Sequence, residues 1–114
     1  MIADATVDGL ARILAGAPMI EGRQLEGCVR ALRAGGKIPT TGVALGNGDT
    51  APVLVDGVVV CETVGGPERA EAHADRYARH AEVRGVILIA SRLADIGHAP
   101  ASAHGKPVRI ALVR

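Results

Sequence analysis

The sequence predicts an α/β domain in which helices pack on a mixed sheet of five strands. Two segments with helical periodicity come first, a hairpin of apolar strands follows, and a strand–helix–strand unit completes the core. Apolar residues make up 48% of the 114 residues, which is enough for the core of one domain spanning the chain. Tyr77 is the single aromatic residue, so the core must be aliphatic, and the chain lacks an aromatic platform for stacking nucleobases.

The first two elements are predicted to be short amphipathic helices. Residues 6–15 place their apolar side chains on one face, with Thr6 as the candidate N-cap and Gly16 as the stop. In residues 21–34 the apolar side chains recur at i, i+3, i+4 and i+7, and Gly35 follows. The predicted order therefore begins with two helices.

The middle of the chain changes to strands. Residues 43–45 form a candidate strand before an Asn-Gly turn at Asn47, and Asp56-Gly57 then separates two apolar runs at residues 53–55 and 58–61. Two apolar runs joined by Asp-Gly are typical of a β-hairpin. Both arms are apolar at every position, so we expect the hairpin to be covered on both faces.

Residues 68–82 predict a third helix, which the Gly65-Gly66 break precedes and Pro67 opens. At about 100° per residue its side chains fall on three faces. One face carries small side chains and lies close against the sheet; it consists of Ala70, Ala74, Tyr77, Ala78 and Ala81. A basic face consists of Arg69, His73, Arg76 and His80, and an acidic face of Glu68, Glu71, Asp75 and Glu82. Charged faces of this kind usually form solvent-exposed helix surface with ion pairs between residues i and i+4. The more specific hypothesis is that the basic face contacts an anion.

The last third of the chain predicts two more strands. Residues 86–90 are apolar throughout, which predicts a central buried strand, parallel to the strand before the third helix. Residues 91–106 are predicted to form a loop, and residues 108–113 a final strand. The complete predicted order is α-α-β-β-β-α-β-β.

The order from residue 21 to residue 90 resembles the common core of the PD-(D/E)xK, or restriction-endonuclease-like, superfamily. The stretch PVLVDGVVVCETVGG is similar to the hairpin of that family, and ERAEAHADRYARHAEVRGVILIAS to its following helix and buried strand. The resemblance implies a nuclease-like fold, in which two carboxylates hold Mg²⁺ and a Lys positions or activates water.

The residues at the motif positions of this family imply a degenerate site. Glu62 matches the acidic residue of the (D/E)xK motif, but Val64 stands where the Lys is expected. The other carboxylate positions are matched less well: the acid before the second strand falls at Ala51 or Pro52 with Asp49 nearby, and the occasional helix carboxylate at Glu21 or Glu26. Asp49 and Glu62 are thus weak catalytic candidates, and no metal or cofactor is predicted.

Charge and cysteine content narrow the class of protein further. Thirteen basic residues stand against 12 acidic ones, a smaller excess than a dedicated basic DNA-binding domain usually shows. Cys28 and Cys61 lie in apolar runs, which predicts buried free thiols in a reducing compartment. No apolar run approaches the ~18 residues that span a bilayer, and Asp4 and Asp8 stand where a signal peptide would be positive. We therefore expect a cytoplasmic protein without a membrane partner.

Two other arrangements carry weaker signals. His73 and His80 are two helical turns, about 10 Å, apart, which is too far for one shared metal ion. Gly65 and Gly66 precede a helix, where free N–H groups and the helix dipole favour an anion. Pro67 removes one of those donors, and a plain break between strand and helix is the simpler explanation of the two glycines.

Three functional hypotheses follow from the sequence. The first is a non-catalytic nuclease-like domain that associates with nucleic acid or a nucleic-acid-processing partner; its predicted contact residues are Arg69, His73, Arg76, His80 and Arg92. The alternative is a homo-oligomeric binding or assembly module for a small anionic ligand or partner protein, because one chain offers little helix to cover a hairpin on both faces. The third is an enzyme that uses Asp49 and Glu62.

Overall fold

The computed structural model describes residues 2–15, 24–62, 67–90 and 101–112. The described helices are α1 (Ile2–Leu14), α2 (Gln24–Ala34) and α3 (Pro67–Ala78). The described strands are β1 (Thr40–Ala44), β2 (Thr50–Val55), β3 (Val58–Glu62), β4 (Gly85–Ala90), β5 (Ser102–Ala103) and β6 (Lys106–Leu112). A 3₁₀ turn at Gly46–Gly48 connects β1 to β2.

The strands form one mixed sheet with the order β1-β2-β3-β4-β6-β5. Strands β1 to β3 form an antiparallel meander, and β3, β4 and β6 are parallel neighbours. The predicted α/β class, the mixed sheet and the parallel pairing on both sides of α3 are therefore confirmed. The sheet has six described strands rather than five, because β5 pairs with the start of β6 inside the predicted loop.

Two-residue turns close the β2–β3 and β5–β6 hairpins of the sheet. Asp56 and Gly57 have φ angles of 51° and 80°, and Val55 pairs directly with Val58 across them. This left-handed pair is the geometry that an Asp-Gly turn favours, so the predicted hairpin is confirmed. His104 and Gly105, at φ 50° and 74°, connect β5 to β6 in the same way.

The helices differ from prediction at their ends. Helix α1 begins at Ile2, so Thr6 lies inside the helix and does not cap it. Helix α2 begins at Gln24 within the described residues, and Glu21 lies outside them. Helix α3 ends at Ala78 rather than at residue 82, which removes His80 from the helix.

The sheet is covered on both faces by helices of the same chain. Val58 and Val60 of β3 belong to the core beneath α1 and α2, whereas Val59 and Cys61 belong to the core beneath α3. Every residue of β4 is buried. The predicted burial of the sheet on both faces is thus confirmed. The homo-oligomer hypothesis assumed that one chain has too little helix to cover both faces, and for the described strands that assumption is wrong.

Few large apolar side chains are exposed among the described residues. These side chains are Ile38 and Leu112. None of the helices in the described ranges has the length and apolar character needed to cross a bilayer.

The β1–β2 hairpin bends at one level. Gly42 has a φ of +60°, and it lies opposite Pro52, which lacks an N–H group, between the pairs Thr41–Val53 and Val43–Ala51. Residues two apart in a regular strand share a face, yet Val53 packs in the α1–α2 core and Ala51 in the α3 core. The bend therefore turns the tip of this hairpin towards α3.

Candidate functional site

The bent hairpin tip brings Asp49 to the chain segment that follows α3. The backbone N–H of Leu45 donates to the carbonyl oxygen of Asp49 at 2.8 Å and closes the tip. His80 Nε2 donates to Asp49 Oδ2 at 2.7 Å, and Arg79 Nη2 donates to the same oxygen at 3.2 Å. We call these three residues, Asp49, Arg79 and His80, the Asp49 cluster.

The Asp49 cluster is shielded from solvent on its histidine side. The side chain of His80 is 5% exposed and that of Asp49 is 15% exposed, whereas that of Arg79 is 48% exposed. The hydrogen bond from His80 is the largest cause of a lowered pKa at Asp49, and Arg79 adds to it, while partial desolvation opposes the shift. Asp49 is therefore held as a carboxylate that accepts from two donors.

The backbone around His80 is anchored from two sides. Lys106 Nζ donates to the His80 carbonyl oxygen at 2.6 Å, and the N–H of Val83 donates to the same oxygen at 3.1 Å. The second ring nitrogen of His80, Nδ1, lies 3.9 Å from Glu82 Oε1. The cluster thus connects the hairpin tip, the end of α3 and the start of β6.

A catalytic role for His80 is not favoured by this geometry. An Asp–His pair activates a nucleophile only when the free ring nitrogen reaches a hydroxyl or thiol that substrate can also reach. The second ring nitrogen of His80 lies instead 3.9 Å from the Glu82 carboxylate, which is more than half exposed, while the His80 side chain itself is buried. The Asp49 cluster thus holds the hairpin tip against the end of α3.

Tyr77 of α3 lies beside the Asp49 cluster. Burial raises the pKa of the Tyr77 hydroxyl, and the neighbouring Cys61 is the next cause. The phenol is consequently neutral at physiological pH and acts as the one aromatic filler of the α3 core.

Glu62, the other catalytic candidate, faces away from Asp49. Glu62 lies two residues after Val60, so strand alternation places it on the α1–α2 side of the sheet. Burial is the larger cause of the raised pKa of the Cys28 thiol on α2, and the charge of Glu62 adds to it, as it does for the neighbouring Cys61. Mg²⁺ binds carboxylates that converge at about 2.1 Å, and Asp49 and Glu62 do not converge.

The remaining carboxylate candidates do not complete a metal site in the described ranges. Glu26 lies on the exposed surface of α2, 3.7 Å from Arg30, and Glu21 and Val64 lie outside the described residues. Within those residues no group of three or more His, Cys, Asp or Glu side chains is placed to hold a metal ion.

The predicted basic face of the third helix does not form as a four-residue surface. Arg76 is exposed on α3 and His73 is half-buried, but His80 lies beyond the helix and is buried against Asp49. The physical reason is the early end of α3, which lets the chain turn His80 inwards. The side chain of Arg69, and all of Arg92, lie outside the described part of the chain, as do the candidate anion-site residues Gly65 and Gly66.

The two cysteines are buried free thiols, as the sequence predicts. Burial raises the pKa of Cys28 to about 11 and that of Cys61 to about 12. Because the thiolate is the nucleophile, both side chains are inert apolar fillers rather than reactive groups.

Sequence reasoning missed Arg79 and Lys106, which complete the contacts around Asp49 and His80. Asp49 and His80 are 31 residues apart, a separation that carries no motif. No protein-family model, curated protein or solved structure matches this chain, so function must be argued from the geometry.

Proposed function

We propose that this chain is a non-catalytic domain of nuclease-like architecture that associates with the phosphate backbone of nucleic acid. The observation that carries its non-catalytic character is the separation of the two acidic candidates on opposite sides of the sheet. Asp49 is engaged by Arg79 and His80 on the α3 side, and Glu62 lies on the α1–α2 side. One divalent ion cannot use both carboxylates.

Association with phosphate is supported by arginine side chains that have no carboxylate partner. Within the described ranges these exposed arginines are Arg12, Arg33, Arg76 and Arg84, which lie on α1, α2, α3 and just before β4, so a single contact surface uses only some of them. A guanidinium without an internal partner is available for charge-assisted, bidentate hydrogen bonds to phosphate. The lack of aromatic side chains other than Tyr77, which is buried, favours backbone contact over base stacking.

The net charge of +1 sets the expected strength of this association. Few phosphates are neutralised, so binding is expected to be weak, independent of sequence and strongly reduced by salt. Each phosphate contact contributes about −0.9 to the slope of log K against log salt on duplex DNA.

The test combines a binding and a cleavage experiment on the full chain. Fluorescence anisotropy of a labelled DNA duplex is followed over a salt titration, and plasmid, single-stranded DNA and RNA are incubated with the protein in Mg²⁺ or Mn²⁺. We expect salt-sensitive binding and no cleavage. Cleavage that disappears in Glu62→Ala but persists in Glu71→Ala, an exposed carboxylate of α3, would overturn the non-catalytic assignment. Absence of binding at low salt would overturn the association with nucleic acid.

A further inference from the structure

Residues at the starts of the three parallel strands, or directly before them, form a row along one edge of the sheet. Val58 pairs with Gly85 and Val86 pairs with Val108, so Gly57, Arg84 and Lys106 occupy the same level on adjacent strands. The Arg84 N–H donates to the Gly57 carbonyl at 2.8 Å, which fixes this alignment. Neighbouring strands lie about 4.8 Å apart, so the backbones at Arg84 and Lys106 are close neighbours.

Two cavities meet at this edge, and Arg84 lines both of them. The larger, of about 670 Å³, lies between α1 and the β2–β3 turn, with Gly9 on one wall and Lys37 on the other. The smaller, of about 420 Å³, continues along the start of β6 and includes Lys106 and Arg109. Together they form an open trench with Arg84 at its centre.

The cations of the trench are not all neutralised by nearby carboxylates. Lys37 pairs with Asp56 at 3.4 Å, and Arg109 pairs with Asp8 at 2.7 Å and with Asp4, which lines the smaller cavity, at 3.9 Å. Arg84 forms no ion pair within the described ranges, and Lys106 contacts the carbonyl oxygen of His80 rather than a carboxylate. Glu82 also lines the larger cavity; its carboxylate is more than half exposed and lies 3.9 Å from His80 Nδ1.

The wall opposite Arg84 permits close approach of a ligand backbone. Gly9 lies in the interior of α1, and a Cβ built there would have nothing within 4 Å. Glycine in a helix interior costs about 1 kcal/mol relative to alanine, and internal packing does not require it here.

We propose that this trench, with Arg84 at its centre and Lys106 and Lys37 at its ends, is the surface that contacts nucleic-acid phosphates. The proposal rests on the proposed function. It assigns the contact surface to the starts of the parallel strands rather than to α3, where the sequence predicts it. Arg84 presents a planar fork for one phosphate, and Lys106 supplies a second positive charge on the adjacent strand. The α3 surface is less suited, because Glu71 and Asp75 lie there on the same helix as its exposed arginine, Arg76.

The experiment compares two arginine variants that change the net charge equally. Arg84→Ala removes the central cation of the trench, and Arg76→Ala removes an exposed arginine of α3 that also lacks a carboxylate partner. Affinity for a short labelled DNA duplex is measured for both over a salt titration, with melting temperatures to show that each variant is folded. A third variant, Arg84→Lys, keeps the positive charge but removes the planar guanidinium group that can donate two hydrogen bonds to one phosphate.

We expect Arg84→Ala to weaken binding roughly tenfold, as the loss of one charged hydrogen-bonding contact does, and to reduce the salt slope by about 1. Arg76→Ala should leave both within about twofold, and Arg84→Lys should lie between wild type and Arg84→Ala. Equal losses in Arg84→Ala and Arg76→Ala, or a loss confined to Arg76→Ala, would overturn the trench while leaving nucleic-acid association standing. A wild-type chain that does not bind at low salt would overturn both.

Discussion

Two glycine-to-alanine substitutions are expected to change stability in opposite directions. Gly85 begins β4, and a Cβ built there would lie 2.5 Å from Val7 Cγ2 and 3.0 Å from the carbonyl oxygen of Pro107. Carbon atoms pack favourably at about 3.5–4.0 Å, so α1 would have to move by about 1 Å. Val7 is fully buried and Pro107 belongs to β6, so neither neighbour can turn away into solvent.

The magnitude follows from the crowding at each position. Overpacking a core costs about 1–3 kcal/mol, and the backbone contact at Gly85 places Gly85→Ala at about 2–3 kcal/mol. Unfolding entropy of about 2.1 cal/mol/K per residue amounts to roughly 0.24 kcal/mol/K for this chain, which converts the loss to a fall of about 8–12 °C in Tm. Gly9→Ala should raise the free energy of unfolding by about 1 kcal/mol, and Tm by about 4 °C, because nothing obstructs the added methyl group.

Thermal unfolding followed by far-UV circular dichroism measures both changes, and urea unfolding with an unchanged m value shows that the two-state comparison holds. A Tm for Gly85→Ala within about 2 °C of wild type would refute the close packing of α1 on the start of β4. A fall in Tm for Gly9→Ala would show that the space beside α1 is occupied.

Three further predictions follow from burial and charge. Ala74→Leu should lower the free energy of unfolding by about 1–3 kcal/mol, because Ala74 is fully buried on the side of α3 that packs on the sheet. Ala72→Leu on the exposed face of α3 should be nearly neutral, and equal melting temperatures for the two variants would contradict this packing. The folded-state pKa of Asp49 lies below its ordinary value of 3.8, so its stabilisation is complete above that value and is lost as the pH falls below it. Asp49→Asn should therefore lower Tm at neutral pH, and its difference from wild type should shrink on acidification; a constant difference across the titration would refute the ionic contacts. Cys28 and Cys61 should resist alkylation in the folded chain at mildly alkaline pH and react after urea unfolding, and fast native labelling would show that the thiols are accessible.

The elements that the sequence predicts best are those with strong local signals. Residues 58–61 and 86–90 are apolar at every position, which is the pattern of strands covered on both faces, and both are central strands. Asp56-Gly57 specifies its turn because both residues adopt positive φ. These signals are local, because they do not depend on contacts with residues far away in the sequence.

The elements that the sequence misses depend on distant contacts. No Gly or Pro follows Ala78 before Gly85, so helical periodicity continues past the observed end of α3. The turn there is held instead by the contacts of His80 with Asp49 and Lys106. Strand β5 has two residues, too few for any periodic signal, and it exists through its pairing with β6.

The bend at Gly42 and Pro52 accounts for the lack of convergence between Asp49 and Glu62. Val53 pairs with Val60, and both pack on the α1–α2 side. In a regular strand the next odd-numbered positions, Ala51 and Asp49, would keep that side, which is also the side of Glu62. The bend reverses the face before Ala51 and delivers Asp49 to the α3 side, where Arg79 and His80 engage its carboxylate. Gly42 and Pro52 on facing strands thus put on opposite sides of the sheet two carboxylates, those of Asp49 and Glu62, that a regular hairpin would place on one side. The early end of α3 positions Arg79 and His80, which hydrogen-bond to Asp49 and stabilise it on the α3 side.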